Sequence, residues 1–234
     1  MIRKILAIIL VLNFTACAEL QQVVNQLPQS GTIGNTEIAS GLRQALDLGI
    51  DKQVTKLTQT DGFFKNDLVK ILLPEELAKV DKALRDIGLS NLADEGLKVL
   101  NRAAEDAVKE STPIFVDAVK SITFDDAKNI LLGDNDAATQ FLTSKTQDAL
   151  YAKFNPVIKN SFSKVGADEI WSNLINKYNS IPFTNNVNPD LTDYVTGEAL
   201  KGVFTMIAVE EKDIRTKASS RTTDLLRKVF ALQD

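Results

Sequence analysis

The sequence predicts an all-α protein: a single compact multi-helix bundle that follows an N-terminal signal peptide and a short tether. Apolar residues recur at three- or four-residue spacing through most of the chain, which is the period of amphipathic helices. Proline, glycine and short polar residues stand where such helices begin and end. No alternating segment of strand length is found. The hydrophobic content of 44% and the charged content of 25% are ordinary for a soluble globular body.

The first residues have the layout of a secretory signal peptide. Arg3 and Lys4 supply positive charge, residues 5–12 form an apolar run, and small residues follow. The apolar run is too short for a membrane-spanning helix, which needs about twenty residues. We therefore expect residues 1–16 to be a signal peptide.

The chain's single cysteine stands directly after this segment. Residues 14–17, Phe-Thr-Ala-Cys, resemble a bacterial lipobox, in which the cysteine is acylated and becomes the first mature residue, although the usual box has leucine in place of Phe14. Acyl chains on Cys17 would hold the protein on a membrane. By resemblance to lipoproteins of diderm bacteria, Ala18 in place of aspartate favours the outer membrane, with the body on the periplasmic face. The alternative is an ordinary signal peptide and a soluble periplasmic protein.

The mature chain divides into a tether and a body. Residues 17–35 contain the lipid-attachment cysteine and end in a stretch with proline and glycine that is typical of a flexible tether. The helical domain occupies residues 36–234. It begins with a long amphipathic helix over residues 36–57, in which Gly41 and Gly49 are weak points and candidate kink sites. The apolar face of this helix consists of Ile38, Leu42, Leu46, Ile50, Val54 and Leu57.

The next elements are recognised by their ends. A turn over residues 60–66 carries two phenylalanines, which either anchor it or are exposed. Pro74 suits the first turn of a helix that ends at Gly88. Ser90 is a suitable N-cap for a helix that continues through the alanine-rich residues 101–108, where small side chains allow neighbouring helices to approach closely.

Further boundaries follow in the second half of the body. Pro113 starts a helix. Thr123 caps another helix, which ends at Gly133. Asp134 or Asn135 is expected to cap the long helix after it. The Asn-Pro pair at residues 155–156 is expected to break that helix. Later helices are predicted over residues 157–165, 167–179 and 196–215, and from Thr222 or Thr223 onward.

Composition excludes several kinds of chemistry. The chain has no histidine, which excludes Ser-His-Asp and Cys-His catalysis and removes the commonest zinc ligand. A calcium loop starting at Asp134 fails because Ala138, Thr139 and Lys145 stand at its fifth, sixth and twelfth positions. We therefore predict no metal and no other cofactor. The formal charge of −4 provides no electrostatic attraction to nucleic acid, so none is expected as a partner.

Six charged residues are candidates for a buried ion-pair network that fixes helix order, or for a polar ligand pocket. They occur as pairs three or four residues apart on one helix face, or around the start of a helix. The six are Arg102, Glu105, Glu211, Arg215, Arg221 and Asp224.

Several motifs together resemble the bacterial family called domain of unknown function 4197. They include "DGFF" (61–64), "LPEEL" (73–77), "NRAAE" (101–105), "DLTDYVT" (190–196) and "RTTDLLRKVF" (221–230). The resemblance extends over about residues 37–231. It implies a secreted or lipid-anchored helical protein of Gram-negative bacteria, and it implies no particular activity.

The leading prediction for function is a non-enzymatic envelope lipoprotein. It would bind an envelope protein or a hydrophobic ligand through a groove between helices. The first alternative is a hydrolase of cell-envelope material that uses carboxylates or lysine, such as Glu105, Asp125 or Lys164, provided that they converge in one cleft. The second alternative is a structural envelope spacer, whose body would have no pocket.

Overall fold

The computed structural model describes residues 33–73, 82, 85–86, 88, 90–180, 182 and 186–234. The chain divides into two units, Met1–Gly34 and Asn35–Asp234, and the second unit holds all the helices given below. The signal peptide, Cys17 and nearly all of the tether lie outside the described residues. Most of the helix predicted between Pro74 and Gly88 lies outside them as well.

Within its described parts, the chain forms eight α-helices and no strand, so the all-α prediction is confirmed. Two short 3₁₀ turns, Ala218–Ser220 and Ala231–Gln233, lie near the last helix. The helices are α1 (Asn35–Leu57), α2 (Ser90–Val108), α3 (Thr112–Ser121), α4 (Phe124–Leu132), α5 (Ala137–Ser163), α6 (Ala167–Asn179), α7 (Leu191–Thr216) and α8 (Asp224–Phe230). No helix in the described ranges is both long enough and apolar enough to cross a bilayer.

Helix α7 lies at the centre of the bundle. It packs against α1, α2, α5 and α6, while α1 also contacts α3, α4 and α8. Burying each large apolar side chain of this core contributes about 1.5–3 kcal/mol relative to leaving it in water. The largest fully buried side chains include Phe63, Phe115, Phe154, Phe162, Leu42, Leu57, Ile71 and Ile122.

The local caps of α4 form as predicted. The Thr123 hydroxyl accepts a hydrogen bond from the Asp126 amide at 3.1 Å, and the Asp126 carboxylate accepts one from the Thr123 amide at 2.9 Å. This capping box satisfies two backbone donors at the start of the helix. Hydrogen bonds from the side chain and then the backbone of Thr123 hold the pKa of Asp126 below its ordinary value. Gly133 is the C-cap.

The expected break at Pro156 is wrong. Helix α5 continues through this proline from Ala137 to Ser163. Proline inside a helix costs about 3 kcal/mol. The cost is outweighed because one face of α5 is fully buried on both sides of the proline, whereas Pro156 itself is exposed. The buried row on that face is Leu150, Phe154, Ile158 and Phe162, each 0% exposed.

The two glycines of α1 serve close packing, and the helix is continuous around them. A Cβ atom at Gly41 would lie 2.5 Å from Cγ2 of Val229, so α8 can approach α1 only where α1 has no side chain. A Cβ atom at Gly49 would lie 3.3 Å from Cγ of Glu210. Both glycines therefore set helix-to-helix distances.

Candidate functional site

Glu211 closes the N-terminus of α5 from a distant part of the chain. One carboxylate oxygen accepts the Ala138 amide at 2.8 Å, and the other accepts the Thr139 amide and hydroxyl, each at 2.8 Å. The first backbone N–H groups of a helix have no partner within the helix and carry partial positive charge. The buried carboxylate of Glu211 accepts hydrogen bonds from two of these N–H groups and places a negative charge beside them.

Arg215 donates hydrogen bonds to the backbone carbonyl groups at the C-terminus of α4. Its guanidinium donates to the carbonyl oxygens of Ile130 and Leu131 at 2.8 and 3.1 Å. It also donates twice to Glu211, at 2.9 and 2.8 Å. The side chains of Arg215 and Glu211 are only 3% and 6% exposed. One buried ion pair on α7 therefore holds the end of α4 and the start of α5 together.

This arrangement corrects the predicted cap of α5. Asp134 and Asn135 do not cap the helix; the N-cap is Asp136, and its side chain makes no capping hydrogen bond. The carboxylate that does the capping lies 73 residues from Ala138 in sequence. Local sequence reasoning missed it because an N-cap is looked for immediately before the helix.

Arg221 closes the C-terminus of α7. It donates to the carbonyl oxygens of Ile214 and Arg215 at 3.0 and 2.9 Å, and to the Asp234 carboxylate at 2.6 and 2.8 Å. This side-chain hydrogen bond raises the pKa of Arg221 and lowers that of Asp234. Asp224 is not part of this group, because its side chain is 99% exposed and pairs with Arg227.

Arg102 and Glu105 form a separate cluster around the turn predicted at residues 60–66. Arg102 donates to Glu105 at 2.5 Å and to Asp61 at 2.6 Å, and the buried Glu105 carboxylate also accepts the Phe63 amide at 3.1 Å. The Phe63 ring is fully buried. These polar side chains of α2 therefore anchor the turn and insert Phe63 into the core.

The same turn is conformationally demanding. Asp61 has a φ of 67°, and a Cβ atom at Gly62 would lie 2.5 Å from the carbonyl oxygens of Lys56 and Leu57. Only glycine fits at position 62, because those neighbours are backbone atoms that cannot move aside. The hydrogen bond from Lys65, together with charge from Lys65 and Arg102, lowers the pKa of Asp61.

The six candidate residues thus fall into two places, with Asp224 apart from both. The other five close helix ends around α7 or anchor the turn at residues 60–66, and they bind partners within the chain. The residues considered for hydrolysis do not form a group either. Glu105 is buried beneath the turn, whereas Asp125 and Lys164 are exposed on α4 and at the end of α5. No cluster of metal-ligating side chains is found along the described ranges.

One open hollow is a cleft between α5, α6 and the start of α7, with a volume of about 400 Å³. We refer to it as the α5–α6–α7 cleft. Side chains one helical turn apart line its helical walls, because residues separated by four lie on one face of a helix. The lining residues are Asn155 and Lys159 from α5, Asp168, Ser172 and Asn176 from α6, and Pro189, Asp190, Leu191 and Thr192 from the start of α7.

Contacts around the cleft fix its walls relative to one another. The Thr192 hydroxyl donates to Asp168 at 3.1 Å, which joins α7 to α6. The Trp171 indole donates to the Asn188 carbonyl at 3.2 Å, and its ring stacks on Tyr194 with centroids 5.9 Å apart. The cleft is therefore a preformed feature with tertiary contacts of its own.

The charges of the cleft are of both signs. Lys159 on α5 is exposed, and within the described part of the chain its ammonium has no ion-pair partner. Asp168 accepts from Thr192, and Asp190 caps α7 by accepting the Asp193 amide at 3.0 Å. Sequence reasoning missed these residues. The available signal was the polar row of Asp168, Ser172 and Asn176 at four-residue spacing.

Two other hollows help to define what the body can hold. One, of about 430 Å³, lies beside the turn at residues 60–66 and is lined mainly by polar residues, including Lys56, Thr60 and Asn66. The other lies between α1 and α7, has mostly apolar walls and measures about 20 Å³. A cavity of that size holds roughly one water molecule. Both larger hollows are therefore lined mainly by polar residues, and the apolar hollow between α1 and α7 is too small for a lipid chain.

The eight helices, the buried ion pairs and the polar cleft define an all-α helical domain. The chain belongs to the family described as Protein of unknown function (DUF4197), whose family model matches residues 32–231. This match confirms the resemblance noted from the sequence motifs. No curated protein and no solved structure matches the chain.

Proposed function

We propose that the protein is a lipid-anchored envelope protein that binds a small polar ligand in the α5–α6–α7 cleft without chemical conversion. The observation that carries the proposal is the cleft itself. Its volume of about 400 Å³ lies within the range of about 300–1,000 Å³ typical of ligand pockets. The body would stand on the periplasmic face of the outer membrane, attached through acyl chains on Cys17.

The contacts of the charged groups favour binding over catalysis. Glu105, Glu211 and Arg215 are buried and held by partners in the chain. A catalytic acid or base needs to reach substrate within hydrogen-bond distance. The candidates Glu105, Asp125 and Lys164 make no hydrogen bond or ion pair with one another within the described residues. The open cleft likewise favours binding over a purely structural spacer.

The lining of the cleft favours a polar ligand over a hydrophobic one. Amide and hydroxyl groups of Asn155, Ser172 and Asn176 can both donate and accept hydrogen bonds. A lipid chain in this position would desolvate the charges of Lys159, Asp168 and Asp190 and the amide oxygens of Asn155 and Asn176, at a cost of about 1–3 kcal/mol for each group. Among the lining residues, only Pro189 and Leu191 have wholly apolar side chains.

Replacing Cys17 with serine is expected to release the protein from the membrane. Serine offers no thiol for acylation, and two acyl chains are needed for stable anchoring. The measurement is fractionation of envelope and soluble extract in a Gram-negative host, with mass spectrometry of the mature N-terminus. A wild-type protein that begins before Cys17, or carries no acyl group, would contradict the anchoring part of the proposal.

Filling the cleft is expected to abolish ligand binding. Ser172→Phe places a ring on the α6 wall, whereas Asn173→Phe places the same ring on the neighbouring exposed position outside the cleft. Polar small molecules can be screened by NMR on the lipid-free body, and Trp171, the only tryptophan, reports on the adjoining wall. Binders lost in Ser172→Phe and retained in Asn173→Phe support the proposal. A screen whose binders ignore Ser172→Phe, or one that finds no binder, would overturn it.

A further inference from the structure

The two walls of the α5–α6–α7 cleft carry opposite charge. Lys159 stands on α5, while Asp168 stands on α6 and Asp190 at the start of α7. The charges come from different helices, and Lys159 forms no ion pair with either carboxylate. The hydrogen bonds made by the two carboxylates come from neutral groups, the Thr192 hydroxyl and the Asp193 amide. Each wall therefore keeps its charge available to a ligand.

We propose that the ligand is a short peptide of two or three residues with a free ammonium group and a free carboxylate. This inference rests on the proposed function and adds the class of ligand. The ligand carboxylate pairs with Lys159, and the ligand ammonium lies against Asp168 and Asp190. The amide side chains of Asn155 and Asn176 and the Ser172 hydroxyl are placed to exchange hydrogen bonds with peptide groups between the two ends.

Other polar ligands match the cleft less completely. A neutral saccharide can satisfy the amide and hydroxyl groups, but it leaves both signs of charge without a counter-charge. A phosphate or another small anion can pair with Lys159, but it then meets two carboxylates, since the lining carries one positive and two negative groups. A zwitterion compensates both walls at once, and electrostatic complementarity of this kind selects a ligand by penalising the others.

The test uses tri-alanine as the probe and compares four forms: free, N-acetylated, C-amidated and blocked at both ends. Binding is followed by Trp171 fluorescence at low salt, because salt screens exposed charges. Each block is expected to weaken binding about fivefold, the effect of one partly exposed ion pair. Blocking both ends is expected to weaken binding by about the product of the two single effects.

Two charge variants test which side chain of the cleft pairs with which end of the peptide. In Lys159→Gln, C-amidation of the peptide is expected no longer to weaken binding, whereas N-acetylation should weaken it as in the wild type. The penalty of a block means this loss of affinity. Asp168→Asn is expected to reduce the penalty for N-acetylation, since only Asp190 then remains, and to leave the penalty for C-amidation; the asparagine keeps an oxygen that can accept from Thr192. Lys153→Gln, on the exposed side of α5 and outside the cleft, serves as the matched control and should change neither penalty.

The outcomes separate this inference from the proposed function. If chitotriose, a neutral trisaccharide, binds the cleft and free tri-alanine does not, the peptide inference is overturned and a polar binding cleft stands. The peptide inference is also overturned, and the polar binding cleft stands, if tri-alanine binds but Lys159→Gln and Asp168→Asn do not change the effect of blocking its ends. If neither probe binds and the screen against Ser172→Phe finds no cleft ligand, the proposed function falls with the inference.

Discussion

Glu211→Gln is expected to lower the free energy of unfolding by about 3–5 kcal/mol, the usual cost of removing one member of a buried ion pair. Glutamine has nearly the same shape, so the loss measures charge and hydrogen bonding and not packing. It leaves the Arg215 guanidinium, which is 3% exposed, without a counter-charge. It also turns one acceptor at the start of α5 into a donor, which then faces a backbone amide that donates as well.

The measurement is equilibrium unfolding in urea, followed by the helical circular dichroism signal. Asp224→Asn is the matched control, because the Arg227–Asp224 pair has the same kind of charges but Asp224 is 99% exposed. Exposed pairs contribute about 0–1 kcal/mol. Equal losses in the two variants would show that the Glu211 pair does not hold the helix ends. The double variant Glu211→Gln with Arg215→Met should lose less than the sum of the single variants, because no buried charge remains unpaired.

The Glu211–Arg215 ion pair also shows which parts of the fold can be predicted from the sequence and which cannot. The cap of α4 is formed by residues that are close in sequence, because Thr123 and Asp126 exchange hydrogen bonds within one helical turn. The cap of α5 is supplied by Glu211 on another helix. A sequence pattern can show that Glu211 and Arg215 share a face, as predicted. It cannot show which helix ends that face will meet.

Pro156 shows the same limit for helix interiors. Local rules place a break there, because proline lacks a donor and restricts the residue before it. The decisive quantity is the burial of Phe154 and Ile158, which flank the proline at 0% exposure and depend on packing against other helices. The predicted start of α7 at residue 196 is also wrong, because the helix begins at Leu191, where the Asp190 side chain caps it.

The cleft was not predictable as a site for a different reason. Its residues have ordinary polar identities and lie on three separate elements. The polar row on α6 predicts only a solvated helix face. It becomes a wall because α5 and the start of α7 stand opposite it, a relationship set by the core. By contrast, the pairing of Arg102 with Glu105 follows from their spacing, while the third partner, Asp61, lies in a turn 41 residues away.

Gly202→Ala is expected to lower the free energy of unfolding by about 1–3 kcal/mol, the usual cost of overpacking a core. A Cβ atom there would lie 2.7 Å from Cε1 of Phe63 and 3.3 Å from Cβ of Val69. The Phe63 ring cannot easily move away, because it is fully buried and its own amide is bound to Glu105. The clash therefore acts on the contact that joins the turn at residues 60–66 to α7.

Gly197→Ala on the same helix is the matched control, and its effect has the opposite sign. Nothing lies within 4 Å of a Cβ atom at that exposed position, so alanine should stabilise the helix by about 0.5–1 kcal/mol. Urea unfolding of both variants measures the difference. The double variant of Gly202→Ala with Phe63→Leu should lose less than the sum of the two single variants, because a smaller side chain at position 63 removes the contact that causes the clash. If both alanine variants stabilise the protein, α7 and the turn are not in the close contact described, since a true clash and an open position cannot respond alike to the same methyl group.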